Sequence, residues 1–310
     1  MLAIIGASGK LGGATLKALL DHDLLPKHQI VSCTSSEPGS HTWTSLEQKG
    51  VQVRHASFDD KVSIEKALSG CDKFFLVSTP KIDMDYNDAP LGQGREKHHF
   101  TAIDAAQAAG VKHIYYSSLA FQSPSKSRVM QAHIRTEAYL AKLQNIDYTV
   151  LREGLYNESW PLYASYYDLK DDQRSEVPIG GDSPISWTAI PDLGLASALV
   201  IVAPSSEYAA KTFYLSATQG ARTIKQVLEK VSAVRSKKIT TKIVTREELE
   251  SYYVRDIKLS EPAAKWWAAS YDALRDQECL INDPTLEKLL ATKGQKPIPI
   301  EETIEEMLRA

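Results

Sequence analysis

Three glycines at G-x-x-G-x-x-G spacing, Gly6, Gly9 and Gly12, stand in the run Gly6-Ala-Ser-Gly-Lys-Leu-Gly12 near the start of the chain. This spacing suits an anion, because glycine lets a phosphate come close to the backbone and a helix N-terminus offers free N–H groups. The flanks supply that context. Leu2-Ala-Ile-Ile5 is a short apolar run that reads as a buried parallel strand. After the glycines, Leu11, Thr15, Leu16, Leu19 and Leu20 recur at near-helical spacing, so a helix begins inside the motif. Strand, glycine turn and helix start predict a dinucleotide pyrophosphate on Gly6, Ala7, Ser8, Gly9, Lys10, Leu11 and Gly12.

The end of the second strand distinguishes the two nicotinamide cofactors: an acid there binds ribose hydroxyls, a base accepts a 2′-phosphate. This chain has Thr34-Ser35-Ser36, with Glu37 displaced further along. Hydroxyls can hydrogen-bond a phosphate and Lys10 adds a cation, which favours NADP(H) over NAD(H); the plainer alternative is a solvated loop with Lys10 turned to water. The Tyr-x-x-x-Lys of familiar short-chain dehydrogenases is missing. Strand end Tyr115-Tyr-Ser-Ser-Leu119 offers serines, but His133-Ile-Arg-Thr-Glu137 stands where tyrosine and lysine would fall. Tyr166-x-x-x-Lys170 has the spacing and the wrong place, beyond the strand at 148–152. The catalytic candidates are therefore His133, Ser118 and Tyr156. His133 reads as a proton donor or a ligand of the nicotinamide ribose, oriented by Glu137 one turn on, or else as a surface histidine. Asp83-Met-Asp-Tyr-Asn87 starts like a calcium loop but lacks its glycine and closing glutamate, and adjacent His98-His99 face different ways. No metal site is assigned.

These residues need a scaffold, and the first half supplies one. Strand-like Gln29–Thr34, Val51–His55, Lys73–Ser78, Lys112–Ser117 and Tyr148–Arg152 alternate with helix-like Lys97–Ala109 and Gln131–Leu143. That alternation predicts an α/β fold, a doubly wound parallel sheet over 1–154. Residues 155–310 form a smaller, aromatic-rich α/β lobe that binds substrate, with 185–203 returning to the first domain. Its strands are Phe213–Ser216 and Ile239–Val244; its helices are Arg246–Tyr253, the Trp266-Trp267 segment, Pro284–Leu290 and Glu301–Leu308. A net charge of -3 with no long basic run argues against a nucleic-acid partner, and no apolar run has membrane-spanning length. Three widely spaced cysteines, without a C-x-x-C pair, fit a reducing cytosol.

Several stretches together resemble the NmrA-like group of atypical short-chain dehydrogenases/reductases, which includes quinone reductases and fungal redox-sensing regulators. They are the Gly6–Gly12 turn, Ala105-Ala-Gln-Ala-Ala-Gly-Val111 leading to Tyr116-Ser-Ser-Leu119, and His133 with Glu137. Leu151-Arg-Glu-Gly-Leu-Tyr-Asn-Glu158 and Asn282-Asp-Pro-Thr-Leu-Glu-Lys-Leu289 extend the resemblance over nearly the whole chain. It implies a Rossmann fold with Phe58 and Asp59 beside the adenine. Ser78, Thr79 and Pro80 would lie on the ribose and nicotinamide side. His133 would contact the cofactor, and Tyr156, Asn157, Glu158 and Ser159 would line the nicotinamide. Ser35 holds the position where relatives often have arginine, a departure that predicts only modest NADP selectivity. Lys81–Gly94, long for the compact bacterial members, reads as a lid over the substrate. The expected activity is cytosolic, NADPH-dependent reduction of a flat or aromatic small molecule such as a quinone or enone, lying against Tyr156, Trp160 and Trp266 or Trp267. Two rivals stand beside it. One is a nucleotide sensor with a protein partner and no turnover; the other is a non-redox enzyme of secondary metabolism, such as a cyclase, with bound nucleotide shaping its pocket.

Overall fold

A computed structural model describes residues 1–309. Seven parallel strands form the central sheet: β1 (Leu2–Ile5), β2 (Ile30–Thr34), β3 (Gln52–His55), β4 (Lys73–Leu76), β5 (His113–Leu119), β6 (Asp147–Glu153) and, much later, β10 (Lys211–Leu215). Their order is β10-β6-β5-β4-β1-β2-β3. The chain winds one way from β1 and the other way from β4, so a crevice opens at the carboxyl ends between these two strands. Both faces of the central strands are covered, which is why β1 and β2 are apolar or small at every position.

Alternation along the strands assigns each face. Ile4, Phe75, Tyr115 and Leu151 point to the side packed by α1 (Lys10–Asp21), with Leu11, Leu16 and Leu19. Ile5, Phe74, Tyr116 and Val150 point to the other side, where α3 (Lys61–Leu68), α4 (Glu96–Ala108) and α5 (Val129–Leu140) pack. A short α2 (His41–Glu47) follows β2 and closes the first face with Leu46. Of these helices, α2 and α3 are capped by a side chain at their N-terminus. The Asp60 carboxylate accepts from the Val62 and Ser63 amides at the start of α3.

Beyond β6 come β7 (Leu155–Tyr156), α6 (Trp160–Tyr163), β8 (Glu176–Ile179) and β9 (Trp187–Thr188), then α7 (Ile190–Val202) and α8 (Ser205–Tyr208). The remaining elements are α9 (Ile224–Arg235), β11 (Thr240–Ile243), α10 (Arg246–Arg255), α11 (Glu261–Arg275), α12 (Thr285–Ala291) and α13 (Ile300–Arg309). The return to the nucleotide domain is larger than 185–203. It takes in β10, paired to β6, and α12, whose Leu286 and Leu290 join the α1 face. Only a long chain excursion connects these pieces, and strand-like Phe213–Ser216 carries no local mark of which sheet it joins. The small lobe pairs β8 with β11 and packs α6, α9, α10, α11 and α13 around Trp160, Tyr163, Tyr167, Trp187, Tyr253, Trp266, Trp267 and Tyr271. These rings form its core. Trp160 is fully buried among them, so it is not a substrate platform in this structure. Tyr166 has φ +55 in an irregular segment, so Tyr166 and Lys170 share no helix face.

α7 crosses α1 at a contact that admits no side chain. A Cβ on Gly194 would stand 2.6 Å from the Ala14 carbonyl carbon. Gly194→Ala should therefore push the helices apart and cost about 1–3 kcal/mol, checked by urea unfolding against Gly13→Ala, whose added Cβ would meet only one atom at 3.4 Å.

Candidate functional site

The glycine turn builds an anion cradle by close approach. A Cβ on Gly12 would lie 2.3 Å from the Gly6 carbonyl oxygen, so the helix can start against the strand end only without one. The Gly9 amide donates to that same carbonyl at 2.9 Å. Unlike α3, α1 receives no side-chain cap at Gly9 and carries no acid in its first turn. Its N-terminal amides are left for a ligand, and the residues present fit a pyrophosphate. Ala7, Leu11 and Gly12 are buried, so they serve through backbone and packing, while Ser8, Gly9 and Lys10 are exposed.

Beside this turn a cavity of about 520 Å³ runs between α1 and α2. Lys10, Lys17, Ser36, His41, Ser45 and Lys49 line it. The Ser36 amide donates to the Thr34 hydroxyl at 3.2 Å, a tight local turn that leaves Ser35 exposed. The serine hydroxyls are thus not the only polar groups at the second strand's end. His41 and Lys49 on and after α2 were missed by a reading confined to that strand end. The signal available was a short helix rich in hydroxyls with a base at each end.

Phe58 and Asp59, after β3, meet the adjacent histidines of α4. The Phe58 ring stacks on His98 at 5.5 Å, and Asp59 Oδ1 lies 3.1 Å from His98 Nε2. His98 Nδ1 is 3.2 Å from the Thr79 hydroxyl, and the Thr79 amide donates to His99 Nε2 at 3.1 Å. His98 and His99 diverge, as expected for helical neighbours, but both are built into the strand-end region and were not foreseen there. Ser78 is placed by its amide, which donates to the Ser117 hydroxyl at 3.0 Å; Pro80 is exposed.

His133 is 3% exposed and hydrogen-bonds through Nδ1 to the Tyr116 hydroxyl at 2.9 Å. Glu137 does not orient it. That carboxylate accepts from Ser118 Oγ at 2.6 Å and takes Arg152 by Nε at 3.1 Å and Nη2 at 2.6 Å. Arg152 lies on the strand next to Ser118, and the register pairs the two residues directly. Burial, with the Arg95 cation and His99 adding to it, pushes the His133 imidazole well below its ordinary range, so it is neutral at pH 7. The expected rise from Glu137 does not occur, because a stronger base partner holds that carboxylate.

Tyr156 is half-buried, and desolvation raises its phenol above the ordinary tyrosine range. Its neighbours face elsewhere. Asn157 is 0% exposed and donates through Nδ2 to the Thr303 hydroxyl and the Ile298 carbonyl, tying α13 to the sheet edge. Glu158 accepts from the Ile190 amide, the start of α7. Ser159 is half-buried at the start of α6. Glu153, at the end of β6, accepts from Ser197 Oγ at 2.9 Å while its Oε2 is buried without a partner; burial pushes its carboxyl up to about 8.

Hydrogen bonds tie the Lys81–Gly94 segment to the start of α4 and to α5 in this structure. Asp85 accepts from Arg95 Nε at 2.6 Å and the Arg95 amide at 2.7 Å, both side chains being buried. Glu96 accepts from the Gly92 amide and from Arg135, and Arg135 also holds the Ala89 carbonyl. Tyr86 meets Trp266 edge-on at 5.8 Å, and the Arg95 guanidinium lies 6.0 Å from that ring, so the segment joins the nucleotide domain to the lobe. Asp85, an apparent cation ligand in the sequence, is spent on Arg95.

The profile of the NmrA-like family matches residues 1–295, and the chain belongs to that family. Quinone oxidoreductase 2 of Escherichia coli (strain K12) is 31% identical over 240 residues, 77% of this chain and 76% of that protein. Triphenylmethane reductase of Citrobacter sp., solved with NADP(H), is 28% identical with a TM-score of 0.81, covering 99% of this chain and 100% of its own. The Escherichia coli NADPH-dependent quinone oxidoreductase solved with NADPH gives 27%, a TM-score of 0.80, and 99% of both chains. No helix among the described residues is long and apolar enough to cross a membrane.

Glu153 generates a prediction with a definite sign. Its folded pKa lies above the unfolded value, so the folded state binds the extra proton and stability is lost as pH rises from about 4.5 to about 8. Glu153→Gln removes that dependence. The variant should match the parent near pH 4 and exceed it by a few kcal/mol, order of magnitude, at pH 8, measured by urea unfolding at both pH values.

Proposed function

We propose that this chain, an NAD(P)H-dependent reductase of the NmrA-like family, prefers NADPH and delivers hydride to a flat conjugated acceptor such as a quinone. The observation that carries the acceptor class is the protonation of the site. Where a ketone reductase needs an acid, this chain has a neutral His133 and phenols raised by burial at Tyr116 and Tyr156. Ser118 already donates to Glu137. None of these groups is a ready proton donor at pH 7, and the Glu153 carboxyl, which burial keeps protonated there, is sealed beside Ser197. A saturated ketone would form an alkoxide that requires one. A quinone spreads the incoming charge over its ring and collects its proton from water.

Bound NADPH would supply the hydride; the chain's residues hold and orient. The α1 amides and Gly9 face the pyrophosphate, and Phe58, Asp59 and Thr79 follow the strand ends toward the ribose. His133 and Tyr156 stand at the far end of that path. For the 2′-phosphate we assign the cavity between α1 and α2, with Lys10, His41 and Lys49 in place of the arginine relatives carry. Two relatives, a quinone oxidoreductase and a triphenylmethane reductase, support conjugated acceptors. The cytosol is the compartment we assign, on three buried cysteines that form no disulfide.

NADPH oxidation at 340 nm against quinones, enones, imines and a saturated ketone tests the reading. Quinones should turn over and the ketone should not, with kcat showing no limb from an imidazolium between about pH 5.5 and 8. Tight nucleotide binding without oxidation of any acceptor would favour the sensor, and product without oxidation the non-redox enzyme. For the cofactor, His41→Ala with Lys49→Ala should weaken NADPH by roughly 10-fold and NADH by less than about 2-fold, the loss of one charge-assisted bond. Equal losses on both nucleotides in calorimetric titration would remove the 2′-phosphate from this cavity.

A further inference from the structure

Behind His133 lies a chain of buried groups whose protons can all be placed. It starts at a donor that cannot change, the Thr79 backbone N–H, which points at His99 Nε2 at 3.1 Å. His99 Nε2 is therefore unprotonated. His99 is fully buried, and desolvation with the Arg95 cation nearby keeps it neutral, so its one proton is on Nδ1. Nδ1 lies 2.8 Å from Thr136 Oγ1 and 3.3 Å from Tyr116 Oη. Thr136 spends its hydroxyl proton on the Ala132 carbonyl at 2.7 Å, so it accepts from His99. Tyr116 cannot donate to a protonated Nδ1; Thr136, also near the phenol, is taken by His99, and the acceptor left, at 2.9 Å, is His133 Nδ1. Tyr116 donates there. A neutral His133 that accepts at Nδ1 carries its proton on Nε2. That nitrogen makes no hydrogen bond among the described residues and is not one of the sealed polar atoms.

We infer that the Thr79 amide, acting through His99 and Tyr116, fixes His133 as its Nε2–H tautomer. The residue then serves as a hydrogen-bond donor to an oxygen of the bound ligand and not as an acid. Tyr116 and His99 are positioning residues: they touch no ligand and act through the ring of His133. The charged groups around the chain support a neutral ring. Arg95 is the nearby cation, its charge set against Asp85, and Glu137 faces Arg152 and Ser118 instead of the imidazole. Protonating His133 would force Tyr116 to turn its hydroxyl, leaving His99 Nδ1–H and His133 Nδ1–H both directed at one oxygen. The tautomer assignment stands on the geometry alone. Its service to a ligand rests on the reading that a nucleotide lies across the strand ends.

The test is long-range ¹H–¹⁵N correlation on the full-length ¹⁵N-histidine-labelled protein, with His133 assigned by its disappearance in His133→Gln. At pH 7 and at pH 5.5, Nδ1 should read as unprotonated and Nε2 as protonated. An imidazolium, or an Nδ1–H ring, in the wild type overturns the inference without any variant having to fold. Tyr116→Phe removes the donor to Nδ1 and should give a mixture of tautomers. The same variant should raise KM for NADPH roughly 3- to 10-fold while the pH profile of kcat stays unchanged. An unchanged tautomer in Tyr116→Phe overturns the relay. Because the tautomer is read without turnover, failure to reduce quinones would sink the proposed activity and leave this result standing, and the converse holds equally.

Discussion

Everything at the nucleotide end depends on how closely α1 can be held from two sides without a side chain in the way. Gly12 lets it start against the carbonyl of Gly6, and Gly194 lets α7 lie against Ala14 on its far side. Between these contacts Leu11, Leu16 and Leu19 fill the space over the sheet. A helix packed this way has a fixed origin and direction, and its uncapped first turn points at the crevice where the strand order reverses. Capping that turn with a serine or aspartate, as Asp60 does for α3, would stabilise the helix and fill the place of the ligand. The local rule is broken where an anion is to be bound.

A second constraint governs the other half of the crevice, where polar side chains are largely buried and pair with one another. Asp85 has Arg95, and Glu137 has both Arg152 and Ser118. His99 has Thr79 and Thr136. Removing one member of a buried charged pair strands the other, a loss of about 3–5 kcal/mol in comparable cases. The Lys81–Gly94 segment is held by such pairs and by the Trp266 contact, so the same side chains that satisfy one another also join the domain to the lobe.

Much of the nucleotide domain was legible because its signals are local. Short continuous apolar strands, helical apolar spacing and the glycine turn each act within about a dozen residues. The family resemblance carried those signals to the whole chain. What was illegible is what long-range packing decides. Nothing near residue 211 says that β10 will pair with β6, or near 285 that α12 will cover α7. The aromatic residues after 155 were ambiguous for a physical reason: a tryptophan that lines a pocket and one that fills a core have the same composition. Only the surrounding lobe puts Trp160 inside. Glu137 shows the same limit at a single residue. One turn from His133 it looked like that ring's partner, but Arg152, fifteen residues on, offers it a charge and two hydrogen bonds.

The histidine pair of α4 carries the argument furthest. Adjacent residues on a helix point about 100° apart, which rules out one metal ion shared by both rings. The divergence is instead what makes the pair useful. One ring reaches outward to Phe58, Asp59 and the Thr79 hydroxyl; the other reaches inward to the Thr79 amide, Thr136 and Tyr116. Both meet at Thr79, three residues beyond the end of β4, which sets its hydroxyl against one ring and donates its amide to the other. A single residue thus couples the edge proposed for the adenine to the ring of His133. The coupling passes through groups whose protons are fixed by backbone geometry and not by solvent pH. Two histidines that could not bind one metal ion can hold two ends of one site in register.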